Sequence, residues 1–271
     1  MPEGDTVYLT ARRLSAALGG RRLRRGELRH PRWSTHDLAG RTVLEVGSVG
    51  KHLLMRLDDG RSLHSHLRMD GSWHLYPPGE RWHRAAHHAR AVLVTEGPEA
   101  RTAVGFRLHD LELLPTAEEN RLVGHLGPDL LDPGWSDSHR AEGLCRLTAE
   151  PATEIGIALL EQRIVAGIGN IYRCETCFLI GAHPRTPVGR LADPGHAIDT
   201  ARRLLLRNAD RPEQSTTGEL GPADRHGRQH YVYLRGGRPC RRCGTRVRMD
   251  ALGDGVYTRS AYYCPACQPL G

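Results

Sequence analysis

Apolar positions near the start of the chain repeat with a helical period. Over residues 6–18, Val7, Leu14 and Leu18 fall on or near one stripe, flanked by Leu9 and Ala17. Asp5 stands where an N-cap is expected, and Gly19-Gly20 stops the helix. After a basic cluster of Arg21, Arg22, Arg24 and Arg25, short β-like runs follow at 41–49, 52–57, 62–67, 72–76, 90–95 and 102–108. Turn residues such as Asp58-Asp59-Gly60 separate them. Short strands at this spacing predict an all-β sandwich or barrel. His83, His87 and His88 have no supporting cysteine or carboxylate spacing and read as a surface loop.

The texture then turns polar, with Leu126-Gly127-Pro128 and Asp132-Pro133-Gly134, which predicts a linker over 116–140. Helical patterns follow at 155–166, 171–180 and 197–208. Residues 215–229 are polar and glycine-containing and read as a mobile loop, and 231–234 reads as a strand entering a cysteine module. The predicted organisation is a β-domain over 1–115, the linker, a helical domain over 141–230 and a module over 231–271. No internal repeat is visible.

Composition narrows this picture. The chain has 271 residues, 39% hydrophobic and 25% charged, enough for a core and typical of a globular protein. No apolar run reaches the length of a membrane span, and the acidic start lacks the basic-then-apolar pattern of a signal peptide, so a cytoplasmic protein is expected. A net charge of +7 suits a polyanionic partner, and nucleic acid is the common one. Lysine and arginine total 38, yet Lys51 is the sole lysine. Arginine keeps its proton in proteins whereas lysine can give it up, so a lone ammonium among guanidiniums marks a candidate for proton chemistry.

Seven cysteines in such a protein indicate metal or free thiols. Cys240-x-x-Cys243 and Cys264-x-x-Cys267 each place two thiolates on one tight turn, and two such turns make a closed, structural Cys₄ zinc site. Without metal, the segment between them would be an arginine-rich hairpin with almost no core. Cys174 and Cys177 fall inside a predicted helix and read, like Cys145, as small packing residues. The turn Ala166-Gly167-Ile168-Gly169 leads to Asn170, placed to cap the next helix and to offer backbone N–H groups to phosphate, although taken alone it is an ordinary helix joint.

Pro2 becomes a free secondary amine if Met1 is removed. An α-amino group titrates near about 7.7–8.0, and the positive end of the following helix favours its neutral, nucleophilic form. Attack on an aldehydic sugar carbon gives an iminium ion, an electron sink, with Glu3 as the adjacent acid or base.

These features occur in one order: Met1-Pro2-Glu3-Gly4, Gly50-Lys51-His52-Leu53, residues 65–71 (SHLRMDG), residues 167–172 (GIGNIY) and residues 259–268 (RSAYYCPACQ). Together they resemble the formamidopyrimidine-DNA glycosylase/endonuclease VIII family over essentially the whole chain. The resemblance implies an α+β protein: an antiparallel β-sandwich with a leading helix, a helix–two-turns–helix domain and a Cys₄ finger holding one zinc ion. It implies damaged double-stranded DNA as partner, no membrane and a monomer. Pro2 would be the Schiff-base nucleophile, Glu3 the acid/base group and Lys51 a β-elimination residue touching phosphate. Asn170 and Arg259 would bind phosphate, Arg259 also assisting δ-elimination. Met69 would be the wedge filling the gap left by the flipped nucleotide, with Arg68 beside it on DNA.

Gly4 after Pro-Glu, and the absence of an Arg-Arg-Phe wedge in residues 106–111, resemble the endonuclease VIII branch in its actinobacterial form and imply oxidised pyrimidines as substrates. Thr6 replaces a frequent glutamate, His125 stands where that branch tends to carry a DNA-binding arginine, and Met69-Asp70 replaces a Leu-Tyr wedge. Activity mainly on oxidised purines and a non-catalytic zinc-finger DNA-binding protein remain the alternatives.

Overall fold

The computed structural model describes residues 2–218, 229–255 and 258–270, which form two compact units dividing between His125 and Leu126. Most of the expected mobile loop at 215–229 lies outside the described residues. No described helix is long and apolar enough to cross a membrane.

The first unit opens with helix α1 (Gly4–Leu18), whose buried stripe is Val7, Ala11, Leu14 and Leu18. Its N-cap position is Glu3 and not the expected Asp5, which lies inside the first turn. Eight strands follow: β1 (Leu23–Leu28), β2 (Val43–Val49), β3 (His52–Leu57), β4 (Arg61–His66), β5 (Ser72–Tyr76), β6 (Ala89–Thr95), β7 (Thr102–Phe106) and β8 (Asp110–Pro115). They form two antiparallel sheets of order β1-β6-β7-β5 and β2-β3-β4-β8, in agreement with the expected sandwich. The core between them draws on α1 and both sheets, including Leu14, Leu53, Met55, Leu63, Leu93 and Leu111. A second cluster of Tyr76, Val92, Val104 and Phe106 under Trp82 covers the outer face of the first sheet. Strands β6 and β7 are therefore buried on both faces and carry near-continuous apolar runs.

Two strands escaped the sequence pattern. In β1 the chain reads Leu-Arg-Arg-Gly-Glu-Leu, where charge hides a strand whose Leu23 and Leu28 are buried. β8 is a short run in which Leu111, Leu113 and Leu114 are buried. A short helix, α2 (Asn120–Val123), ends the unit. The segment before it is tied to the sheet by Glu119, whose carboxylate accepts from Arg56 at 2.7–3.2 Å.

The second unit contains α3 (Asp137–Thr148), α4 (Ile155–Ala158), α5 (Asn170–Leu179), α6 (Pro194–Asn208) and a hairpin of β9 (Arg248–Leu252) and β10 (Arg259–Tyr263). Only Gly143 and Leu147 of α3 are buried, too faint a stripe for the sequence to betray. The helix expected over 155–166 stops at Ala158. Beyond it the chain bends to pair with residues 127–130: Gly127 N–H donates to Gln162 O at 2.8 Å and Ala166 N–H to Pro128 O at 2.9 Å. At Gly127 a Cβ would sit 2.3 Å from Ile164 O, so only glycine permits this approach.

The strand expected at 231–234 is a turn. The Glu175 carboxylate of α5 accepts the N–H groups of Tyr231, Val232 and Tyr233, each at 2.8 Å, and the Thr216 hydroxyl also donates to it. Three successive donors converging on one carboxylate bend a backbone that would otherwise extend. Cys174 and Cys177 are buried in α5 as expected, whereas Cys145 is exposed and does not pack.

Replacing Glu175 by Gln removes acceptor capacity while keeping the shape, stranding buried donors. A loss of about 1–3 kcal/mol is expected in chemical denaturation, and a variant as stable as the parent would show that the turn does not depend on this carboxylate.

Candidate functional site

In the first unit, the start of α1 and the β2–β3 turn carry three of the singled-out residues. Pro2 is half-buried, and Glu3 beside it is fully buried as the α1 N-cap, its carbonyl accepting Val7 N–H at 3.1 Å. Helix α1 packs on β2 and β3, and Lys51 occupies the turn joining those strands. Burial pushes the Lys51 ammonium below the usual lysine range, opposed by the charges of Glu3 and Asp5. Positions 3 and 51 thus contribute to one electrostatic neighbourhood, together with Asp5, to which the sequence assigned only a capping role.

Met69 lies in the turn between β4 and β5 and is 68% exposed. The turn is braced around it. Arg68, in the left-handed region at φ 49°, pairs with Asp110. Asp70 pairs with Arg107 at 3.4 Å and His109 at 3.3 Å, and Gly71 N–H donates to Leu67 O at 2.8 Å. An apolar side chain is held outward by a frame of ion pairs. His125 is exposed at the end of the unit, after α2.

The sequence reading assigned nothing to the face formed by His52, His64 and His66. β3 and β4 place His52 directly opposite His66, with His64 two residues away on the same side. His52 Nδ1 lies 3.0 Å from His64 Nε2, and the His52 ring centroid is 5.1 Å from each of the other two. They line a cleft of about 500 Å³ with Arg68, His109 and Asp110. The period-two spacing of His64 and His66 was the available signal, since alternate residues of a strand share a face.

In the second unit, Asn170 and Arg259 are brought close. Asn170 is the first residue of α5 and not its cap; the N-cap is Gly169. Its side chain is engaged elsewhere: Nδ2 donates to Ser260 O at 3.0 Å, and Oδ1 accepts from the buried Arg173 guanidinium. Arg173 also donates to Ser260 O at 3.0 Å, so the helix start is fastened to the residue following Arg259. Arg259 is exposed at the head of β10. The preceding turn is held by Gln162, which donates to Ile168 O at 2.9 Å and accepts Gly167 N–H at 3.1 Å. Gly167 has φ 107°, a conformation open to glycine.

The four cysteines of the C-terminal module converge, with ligand atoms of Cys240, Cys243, Cys264 and Cys267 all within 4.8 Å of one another. Cys243–Cys264 is 3.5 Å and Cys240–Cys267 is 3.9 Å. Four sulfurs about 2.3 Å from one tetrahedral zinc stand about 3.8 Å apart, so the set fits such an ion.

A β-sandwich, a helical domain with a glycine-rich turn and a four-thiol finger define a class of DNA-repair protein, and the comparisons agree. The formamidopyrimidine-DNA glycosylase N-terminal domain matches residues 1–110, and the formamidopyrimidine-DNA glycosylase H2TH domain matches residues 126–217. The chain belongs to the formamidopyrimidine-DNA glycosylase/endonuclease VIII family. It is 53% identical to a probable endonuclease 8 2 of Streptomyces coelicolor, covering 99% of this chain and 94% of that one. It is 44% identical to the DNA-(apurinic or apyrimidinic site) lyase Nei2 of Mycolicibacterium smegmatis, over 99% of both. The formamidopyrimidine-DNA glycosylase of Lactococcus lactis, solved in complex with an N7-benzyl-Fapy-dG containing DNA, shares the fold at a TM-score of 0.78 and 24% identity, over 99% of this chain and 100% of that one.

Burial drives the His52 pKa down to about 3 and that of His66 to about 4. Unfolded histidines titrate near about 6.5, so between these limits the unfolded chain binds more protons and stability falls as pH falls. The melting temperature should therefore drop from pH 7 to pH 4, with a shallower drop in His52→Gln. Parallel profiles would show that the cluster does not couple to folding.

Proposed function

We propose that the chain is a bifunctional DNA glycosylase and abasic-site lyase of base excision repair, acting on damaged duplex DNA with oxidised pyrimidines as its substrate class. The observation that carries this reading is a fully buried Glu3 at the start of α1, next to a half-buried Pro2, whose charge opposes the effect of burial on the sole lysine in the β2–β3 turn. With Met1 removed, the Pro2 nitrogen attacks C1′ of the damaged nucleotide. The base departs as the C1′–N bond breaks, Glu3 supplying and receiving protons. The C1′–O4′ bond then opens, O4′ taking a proton and the nitrogen lone pair forming an iminium at C1′. This iminium accepts electrons from the C2′–H bond, so loss of that proton expels the 3′ phosphate. A second elimination expels the 5′ phosphate.

The remaining roles are those the family resemblance implies. Lys51 places a cation beside the sugar phosphate, and Asn170 and Arg259 hold phosphates flanking the lesion. Met69, with Arg68 and His125 on the DNA, fills the space vacated by the flipped nucleotide. Cys240, Cys243, Cys264 and Cys267 hold one zinc ion, which supplies no chemistry and fixes the finger that carries Arg259. The protein acts as a cytoplasmic, nucleoid-associated monomer. Preference for pyrimidines is supported by Gly4 and by residues 106–111, where Arg107 is committed to Asp70.

Borohydride should trap a covalent adduct on duplexes containing dihydrouracil or thymine glycol, faster than on 8-oxoguanine, and Pro2→Gly should abolish rapid trapping. An unreactive parent would identify a binding protein, and preferential trapping on 8-oxoguanine would reverse the substrate class. Chelation, or Cys243→Ser, should lower both the melting temperature and DNA affinity; a metal-free protein with unchanged values would remove zinc from the account. Affinity should also fall steeply with added salt as counterions are released, and a flat dependence would displace phosphate contacts from the binding energy.

A further inference from the structure

Asp5 is as fully buried as Glu3, although the helical stripe does not account for it. The buried face of α1 runs through Val7, Ala11, Leu14 and Leu18. On the side that Asp5 shares, the next turn already opens: Tyr8 and Leu9 are half-buried and Arg12 is exposed. Asp5 is therefore covered locally, by what lies over the first turn of the helix. Helix α1 packs on β2 and β3, and just past its end Gly20 N–H donates to Val43 O at the start of β2 at 2.8 Å, so the start of α1 lies toward the far end of β2 and the turn that carries Lys51. A carboxylate removed from water is costly unless a cation answers it.

We propose that Asp5 is a positioning residue that, with Glu3, holds the Lys51 ammonium charged and aimed for the DNA phosphate. This rests on the reading of Lys51 as a phosphate-contacting group. The division of labour is chemical. Glu3 exchanges protons during the reaction, so its charge changes over the cycle. Asp5, two residues on and buried, supplies a negative charge that stays constant, and Lys51 keeps its proton when Glu3 is neutral. The direction agrees with the electrostatics: burial lowers the Lys51 pKa, and Glu3 and then Asp5 oppose it. Another titratable group near this point is His66 at the end of β4, whose own pKa Lys51 lowers. The positive end of α1 favours an ionised Asp5.

Because Lys51 is the only lysine, feeding ¹³Cε-lysine labels one position in the whole chain. Its resonance can be titrated in the full-length, DNA-free protein. In Asp5→Asn the midpoint should move to lower pH by about one unit relative to the parent, whereas Asp5→Glu should stay near the parent value. An unchanged midpoint in Asp5→Asn, or equal displacement in both variants, overturns the proposal, since a purely structural Asp5 predicts one or the other. If Asp5→Asn does not fold, the parent still decides: a Lys51 resonance with no inflection on the acid side, where its carboxylate neighbours take up protons, also overturns it. Affinity for a duplex carrying a tetrahydrofuran abasic analogue supplies the functional arm. Between pH 7 and pH 9, Asp5→Asn should lose about tenfold more affinity than Asp5→Glu, and equal losses count against the proposal. The titration needs no substrate, so a missing borohydride adduct would sink the glycosylase reading alone, while a still midpoint in a protein that traps normally would sink this one alone.

Discussion

Helix α5 has no solvent face: every residue from Asn170 to Phe178 is buried. The polar side chains among them cannot turn to water, and the partners that Asn170, Arg173 and Glu175 find within the protein organise the second unit. Glu175 collects three backbone donors from residues 231–233. Arg173 and Asn170 both reach Ser260 O, and Cys174 Sγ receives Tyr262 N–H at 3.4 Å. Both the approach to the cysteine module and its closing strand are thus fastened to one buried helix. Asn170 and Arg259, the two groups of this unit assigned to phosphate, inherit their spacing from these bonds.

The first unit solves a different problem with similar means. Its core is apolar and continuous, and its chemistry is confined to where the core ends: the first turn of α1, the β2–β3 turn and the β4–β5 turn. At each, buried or paired charge sets the geometry. Glu3 and Asp5 oppose the effect of burial on the Lys51 ammonium, and Asp70 and Asp110 brace the turn that presents Met69. Rigid strands carry short turns whose orientation depends on ion pairs and not on apolar contact.

What the sequence disclosed follows from which signals are local. The stripe of α1, six of the eight sandwich strands and the Cys₄ spacing are periodic or closely spaced, and all could be read directly. β1 was hidden because Arg24 and Arg25 point to solvent from a strand anchored by only two leucines. α3 was hidden because its buried surface is little more than Leu147 and a glycine. The helix expected over 155–166 and the strand expected at 231–234 failed for a shared reason. In each, hydrogen bonds to a distant segment, residues 127–130 in one and Glu175 in the other, outweighed local preference. At the site, the motif residues were legible one by one. The burial of Asp5, the histidine face of β3 and β4, and the role of Arg173 as a brace depend on what packs above them, which no local pattern records.

The apolar cluster around the finger has an evolutionary implication. Phe178 and Cys174 of α5 pack with Val232, Val247 and Tyr262, and the Arg242 guanidinium sits 4.5 Å from the centre of the Phe178 ring. The metal module therefore borrows its hydrophobic floor from the helical domain. Substitutions on either side of that contact fall on one shared packing surface, so helix and finger do not vary as independent cassettes.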